Sequence, residues 1–203
     1  MDIVSVVAQI FILFFSIVIH EYAHAYAAYR SGDDTARLMG RMTLNPLAHI
    51  DPFGTVLLPL ALFLTTGWAI GWAKPVPINP LRFRRYDKGI IYVSLAGVSA
   101  NCILGIVFSL LLRFTGATGP AHSILLIGAY LNFMLAIFNL IPIPPLDGSR
   151  IAALMLPSSW AIRYAFVERY GILLVFALSW LGMFRWLSLL AALLVGLIAG
   201  GVQ

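Results

Sequence analysis

Long apolar runs separated by short polar segments organise this chain from end to end. Crossing the hydrocarbon core of a bilayer takes about 20 apolar residues in a helix. The first run covers 3–28, where Ser5, Gln9 and Ser16 are the only polar side chains before His20 and no Gly or Pro interrupts a helix. Residues 29–52 form a polar connection holding Arg30, Asp33, Asp34, Arg37, Arg41, Asn45 and His49. A second apolar run, 53–72, is broken by Gly54, Pro59 and Gly67. In Lys74-Pro75-Val76-Pro77-Ile78-Asn79-Pro80, which follows, the prolines forbid helix and favour extended backbone. A basic cluster comes next, with Arg82, Arg84, Arg85 and Lys88. Residues 89–112 and 123–141 read as spans on either side of Arg113 to His122. After Asp147 an amphiphilic stretch reaches Arg169, and runs 171–184 and 186–200 follow, with Arg185 as the expected hairpin tip. The pattern predicts an all-α polytopic membrane protein with about five to six apolar membrane segments. A short extended element is expected near 74–80. No internal repeat is visible, and the chain reads as a single integral-membrane domain over 1–203, with its core in about 1–150 and accessory helices over 160–200.

Composition agrees with the pattern. The chain is 61% hydrophobic and 10% charged, against about 25% charged in soluble domains. Its net charge of +5 does not read as a nucleic-acid signal, because Arg and Lys are scattered singly through connections with no basic helix face. The expected surroundings are a lipid bilayer, with no nucleic-acid partner. The single cysteine, Cys102, excludes a disulfide framework and a thiolate metal site. Residues 3–19 followed by Ala23-x-Ala25-x-Ala27 imitate a secretory signal. No Lys or Arg precedes them, however, and the apolar stretch exceeds a usual signal core, so the run reads as a retained span.

Charge also sets an orientation. If 29–52, 73–88 and 148–169 share one side, that side holds 11 of the 13 Lys and Arg, leaving Arg113 and Arg185 opposite. The positive-inside rule makes the rich side cytoplasmic and the N-terminus extracytoplasmic in a multi-pass cell-membrane protein. This arrangement requires 53–72 to enter and leave on one face as a re-entrant element.

His20-Glu21-Tyr22-Ala23-His24 then stands out, because it places three ionisable groups inside an apolar helix. Each charge at such depth costs roughly 2.5–3.5 kcal/mol. His20 and His24 fall one turn apart on the same helix face, where both imidazoles reach one ion. Glu21, beside the first ligand, is placed to take a proton from a water activated by that ion. Catalytic zinc usually has three protein ligands, so a third is needed. The candidates are His49, in Asn45-Pro-Leu-Ala-His49-Ile-Asp51-Pro, and Asp147, in Asn139-Leu-Ile-Pro142-Ile-Pro144-Pro145-Leu-Asp147-Gly148. Pro142, Pro144 and Pro145 break the helix ahead of Asp147, and Gly148 is expected to permit a turn after it. Topology favours Asp147. His20 lies 17 residues past Ile3, about 26 Å along a helix. With 53–72 re-entrant, 123–141 runs in the same direction and delivers Asp147 to the same inner level. His49 then reads as a loop histidine and His122 as interfacial. A divalent-metal carrier could use the same ligands, but it gives Glu21 no task, and no inverted repeat is visible.

These residues resemble the site-2 protease family of intramembrane zinc metalloproteases, most closely the small bacterial members without PDZ or CBS domains. The resemblance rests on His20-Glu21-x-x-His24 and on Asn139…Pro-x-Pro-Pro-Leu-Asp147-Gly148. It extends to Asn45-Pro-Leu-Ala-His-Ile-Asp-Pro-x-Gly54, Gly71-Trp-Ala-Lys-Pro-Val-Pro-Ile-Asn79 and Ala96-Gly97-x-x-x-Asn101. It covers the chain up to about residue 150 and leaves out the two terminal runs. The resemblance implies one zinc ion per chain held by His20, His24 and Asp147, with Glu21 as general base and acid. The implied reaction is hydrolysis of peptide bonds of transmembrane protein substrates, within or next to the membrane near the cytoplasmic face. Asn139 is expected either to donate to the scissile carbonyl or oxyanion, or to orient the broken backbone near Pro142. Asn101 is expected to bond across helices. In the extended segment Val76, Ile78 and Asn79 keep their N–H groups, and pairing with an unwound substrate is the expected use. A pseudoprotease that binds membrane helices without cutting them has the same ligand set and stands beside this reading.

Overall fold

The computed structural model describes residues 3–57 and 73–200. Helix α1 (Ile3–Ser31) is followed by a single turn, α2 (Thr35–Leu38), and then by α3 (Tyr86–Thr115) and α4 (Gly119–Asn139). The chain continues through α5 (Asp147–Met155), α6 (Ser158–Val167), α7 (Gly171–Trp180) and α8 (Arg185–Ala199). Among the described residues there is no strand. Helices α1, α3 and α4 are long and apolar enough to cross a membrane.

The terminal runs depart from expectation. Helices α7 and α8 have 10 and 15 residues, and 10 residues reach only about 15 Å, half a hydrocarbon core. The segment Glu168–Trp180 meets α8 at a 78° bend, so the two form at most one broken span. The expected hairpin tip is therefore a corner. Gly182, at φ +72°, supplies the left-handed residue that the turn needs, and Arg185 is the first residue of α8. The described residues thus hold three membrane-length helices, or four with the bent pair, where about five to six segments were expected. Of the run 53–72, residues 52–57 form a π-type turn. The re-entrant path falls on 58–72, outside the described residues.

What flanks that run is informative. Helix α1 stops in a Schellman motif, with Gly32 N–H bonded to Tyr29 O at 3.1 Å and Asp33 N–H to Ala28 O at 2.9 Å. Ser31 O then accepts Arg84 N–H at 2.9 Å, and His49 O accepts Lys74 N–H at 2.9 Å. The connection between α1 and α3 therefore leaves and returns at one end of the bundle, and the stretch 50–73 is likewise closed at its flanks. Residues 73–79 carry neither helix nor strand, and Asn79 is extended at φ −113°, ψ 94°.

Three helices make the core. Helix α3 runs antiparallel to α1, with Val93 level with His24 and Asn101 level with His20. It is also antiparallel to α4, where Gly105 meets Phe133 and Gly128 meets Phe108. Helices α1 and α4 are consequently parallel, the direction that the ligand geometry demands. Helix α8 buttresses α4 through a cluster of Ala129, Phe133, Ala191 and Val195.

Candidate metal centre

The centre forms where the C-terminal half of α1 meets the C-terminal end of α4. One turn separates His20 from His24, and their Nε2 atoms lie 2.9 Å apart. Pro142, Pro144 and Pro145 end α4 and turn the chain back, so that Asp147 becomes the first residue of α5. Tyr164 on α6 ties this proline turn down, its hydroxyl donating to Pro142 O at 2.8 Å. Burial pushes that hydroxyl's pKa up, which keeps it a donor. Gly148 does not serve as the expected turn residue, since its φ is not positive. It is small for another reason: a Cβ there would collide with the Leu140 carbonyl, so glycine lets α5 start directly against the end of α4.

Asp147 Oδ2 lies 3.2 Å from His20 Nε2 and 3.0 Å from His24 Nε2. It is buried and has no hydrogen-bond partner. Three ligand atoms with edges of 2.9–3.2 Å match one face of a tetrahedron, whose edge is about 3.3 Å for metal bonds of about 2.0 Å. The outer nitrogens are held as well. His20 Nδ1 donates to Asn101 Oδ1 at 2.5 Å and His24 Nδ1 to Val93 O at 2.7 Å, which leaves both Nε2 lone pairs facing inward. Two nitrogens and one carboxylate oxygen suit a borderline divalent ion such as zinc, and the residues present fit it. This is the one cluster of its kind among the described residues.

Glu21 is not one of the three clustered groups. Its Oε2 accepts Val76 N–H at 2.8 Å, so the extended segment runs directly past it. Arg41, which is buried, donates to Lys74 O and Pro75 O at 2.8 and 3.2 Å, and buried Asp33 accepts Asn79 N–H at 2.6 Å. A cleft of about 300 Å³ opens beside the centre, lined by Ile17, His20, Glu21, Ala73, Leu135, Phe138, Asn139 and Pro145. Asn139 thus shares one cleft with Glu21, while its Nδ2 donates to Leu135 O at 2.9 Å in its own helix. His49 is fully buried in a 3-10 turn with Nε2 on Thr43 O at 2.9 Å, and it does not join the cluster.

Several parts of the centre had no signal in the sequence reading. Val93 contributes a backbone carbonyl, which leaves no trace in side-chain pattern. Asn132 bonds Asn101 and, as a buried amide in an apolar helix, carried the same sign as Asn101 without drawing attention. Arg41 read only as a charge to be counted.

With this geometry in hand, the relatives can be weighed. A family model described as peptidase family M50 matches residues 115–182, a stretch that includes Asp147 but not the histidine pair. A Bacillus subtilis protein named "Putative zinc metalloprotease YwhC" is 41% identical over 175 residues, covering 82% of this chain and 77% of that protein. The chain belongs to peptidase family M50. This is the site-2 protease family, and its member here is a metalloprotease of the site-2 type in a multi-pass membrane protein. The M50 chain is also 37% identical over 139 residues to a Mycolicibacterium smegmatis protein named "Putative zinc metalloprotease Rip2", covering 66% of itself and 51% of that protein. A Methanocaldococcus jannaschii protein named "Zinc metalloprotease MJ0392" is 27% identical over 154 residues, covering 75% of this chain and 36% of its own length. Comparison with solved structures gives no significant match.

Proposed function

We propose that this chain is an intramembrane zinc protease that hydrolyses peptide bonds of transmembrane protein substrates, at a site reached from the cytoplasmic face. One observation carries the reading. His20, His24 and Asp147 present three unshared ligand atoms to one point, and Glu21 lies in the adjoining cleft. His20, His24 and Asp147 would hold one zinc ion per chain, which supplies an acidified water and an electrophile for the scissile carbonyl. Glu21 would accept a proton from the attacking water on its carboxylate and return it to the leaving amine. Asn139 lines the same cleft, and its position there supports a role toward the scissile carbonyl or its oxyanion. The charge asymmetry along the chain supports an extracytoplasmic N-terminus, and the joined ends of α1 and α3 support the same parity.

The test is a paired measurement on purified protein in detergent. Zinc is read by elemental analysis and cleavage on a model transmembrane substrate, before and after chelation. One zinc per chain, with cleavage lost on chelation and restored by added zinc, is the expected result. Full cleavage by metal-free protein would overturn the reading, and stable zinc without any cleavage would favour a carrier or a pseudoprotease.

A substrate helix hides its carbonyls, so it must unwind before attack, and the extended segment 74–80 is the surface on which it would pair. Three of its four main-chain donors are engaged: Lys74 N–H with His49 O, Val76 N–H with Glu21 and Asn79 N–H with Asp33. That makes Ile78 the cleaner probe. Ile78→Pro is expected to lower kcat/KM about tenfold, the worth of one main-chain hydrogen bond at about 1.4 kcal/mol, with zinc content unchanged. Val76→Pro, which also strips the donor from Glu21, is expected to abolish cleavage while sparing zinc. Unaltered turnover in both variants would remove the segment from substrate binding.

A further inference from the structure

Ser16 on α1, Asn101 on α3 and Asn132 on α4 are polar side chains buried in the membrane-length helices behind the centre. Their exposures are 1%, 0% and 0%. Amides among apolar helices are costly unless every donor and acceptor is matched, and these are matched in a single direction. Asn132 Nδ2 donates to Gly128 O and to Ser16 Oγ, both at 2.9 Å. Asn132 Oδ1 accepts from Asn101 Nδ2 at 2.9 Å. Asn101 Nδ2 also faces Ser16 O at 3.5 Å. Asn101 Oδ1 in turn accepts from His20 Nδ1 at 2.5 Å.

The two ends of a carboxamide have nearly the same shape, so partner chemistry must decide which is which. The fixed point here is Gly128 O, a backbone carbonyl that can only accept. It makes Asn132 turn its NH2 toward α4 and Ser16, and hence its oxygen toward Asn101. Asn101 must answer with its own NH2, which leaves its oxygen for His20. That oxygen only accepts, so the proton of a neutral His20 must sit on Nδ1, and Nε2 is left with a bare lone pair. We propose that Asn132 and Ser16 are positioning residues for the metal centre: they carry the polarity of the α4 backbone through Asn101 and lock His20 in the tautomer and orientation that bind zinc. His24 receives the same instruction in one step from Val93 O. Both ligand tautomers are thus set by main-chain carbonyls, one directly and one through two amides spanning three helices.

This inference rests on the zinc reading, and its test separates the two. Zinc affinity is measured on the full chain in detergent by competition with a chromophoric chelator, with thermal unfolding of the metal-free protein run alongside. Removing the partner of a metal-bound histidine weakens binding roughly 10–100-fold, and that loss is expected for Asn101→Leu. Asn132→Leu keeps the volume but frees Asn101 to turn, and a loss of about tenfold is expected. Asn101→Asp retains an acceptor whichever oxygen faces the ring, and affinity within about threefold of wild type is expected. The decisive comparison is the double variant. A carboxylate has no direction to lose, so Asn132→Leu should cost little in the Asn101→Asp background. A purely structural role would instead make the losses add and track the unfolding temperature. Wild-type affinity in folded Asn132→Leu, or a double variant no tighter than Asn132→Leu alone, would overturn the relay. Absence of zinc from the wild type would overturn the proposed function and the relay with it.

Discussion

Glu21→Gln is expected to keep its zinc and to lower cleavage by roughly 10²–10⁴-fold, the usual contribution of a positioned general base. The replacement is nearly isosteric, and Glu21 is not among the three ligand residues. A glutamine oxygen can still accept Val76 N–H, the bond that Glu21 Oε2 now makes at 2.8 Å, so the extended segment stays in place. What the amide cannot do is accept a proton. Zinc content should therefore match wild type while single-turnover cleavage of a model transmembrane substrate collapses. Activity within about tenfold of wild type would take proton transfer away from Glu21. A loss of zinc in step with activity would instead mean that Glu21 supports the ligands structurally.

Gly97→Ala is expected to abolish zinc binding and cleavage together, although alanine favours a helix by up to about 1 kcal/mol over glycine. A Cβ at this position would lie 2.5 Å from His20 Cε1 and 2.6 Å from both histidine Nε2 atoms, closer than van der Waals contact allows. Neither ring can step aside freely, because each Nδ1 is tied to α3, one to Asn101 and the other to Val93. The clash therefore falls on the ligand geometry and spares the helix. The metal-free variant should still fold, with its unfolding temperature lowered only modestly because helix propensity offsets part of the clash, while its zinc affinity falls more than about 100-fold. Wild-type zinc affinity in this variant would show that the rings can shift without losing the ion.

Much of the site was legible because its chemistry clashes with its surroundings. His20, Glu21 and His24 in an apolar run, and Asp147 behind a proline-broken one, are groups that lipid does not tolerate without compensation. The count of Arg and Lys pointed to a re-entrant 53–72, whose path falls on 58–72 outside the described residues; the hydrogen bond from Arg84 N–H to Ser31 O joins the ends of α1 and α3. Other parts were not legible, for particular reasons. Gly148 looked like a turn residue, yet its smallness serves contact with Leu140, a neighbour that only the folded proline turn creates. The terminal run looked like a hairpin because hydropathy records length and not direction, and the 78° corner at Gly182 has no hydropathy signature. The attachment of Val76 to Glu21 joins a backbone group to a side chain 55 positions away, a contact that no periodicity encodes.

The joined ends of α1 and α3 have a consequence for how such a molecule changes over time. Residues 32–83 hang from one closed stem, because Ser31 O and Arg84 N–H are bonded at 2.9 Å. Doubling the length of a flexible excursion costs only about 0.6 kcal/mol in closure entropy. None of that cost reaches the register in which His20 meets Asn101 and His24 meets Val93. Residues of this connection that contact neither α1 nor α3 can thus change in number while His20, His24, Val93 and Asn101 keep their places. The length of the connection and the register of the helices are free to evolve on separate clocks.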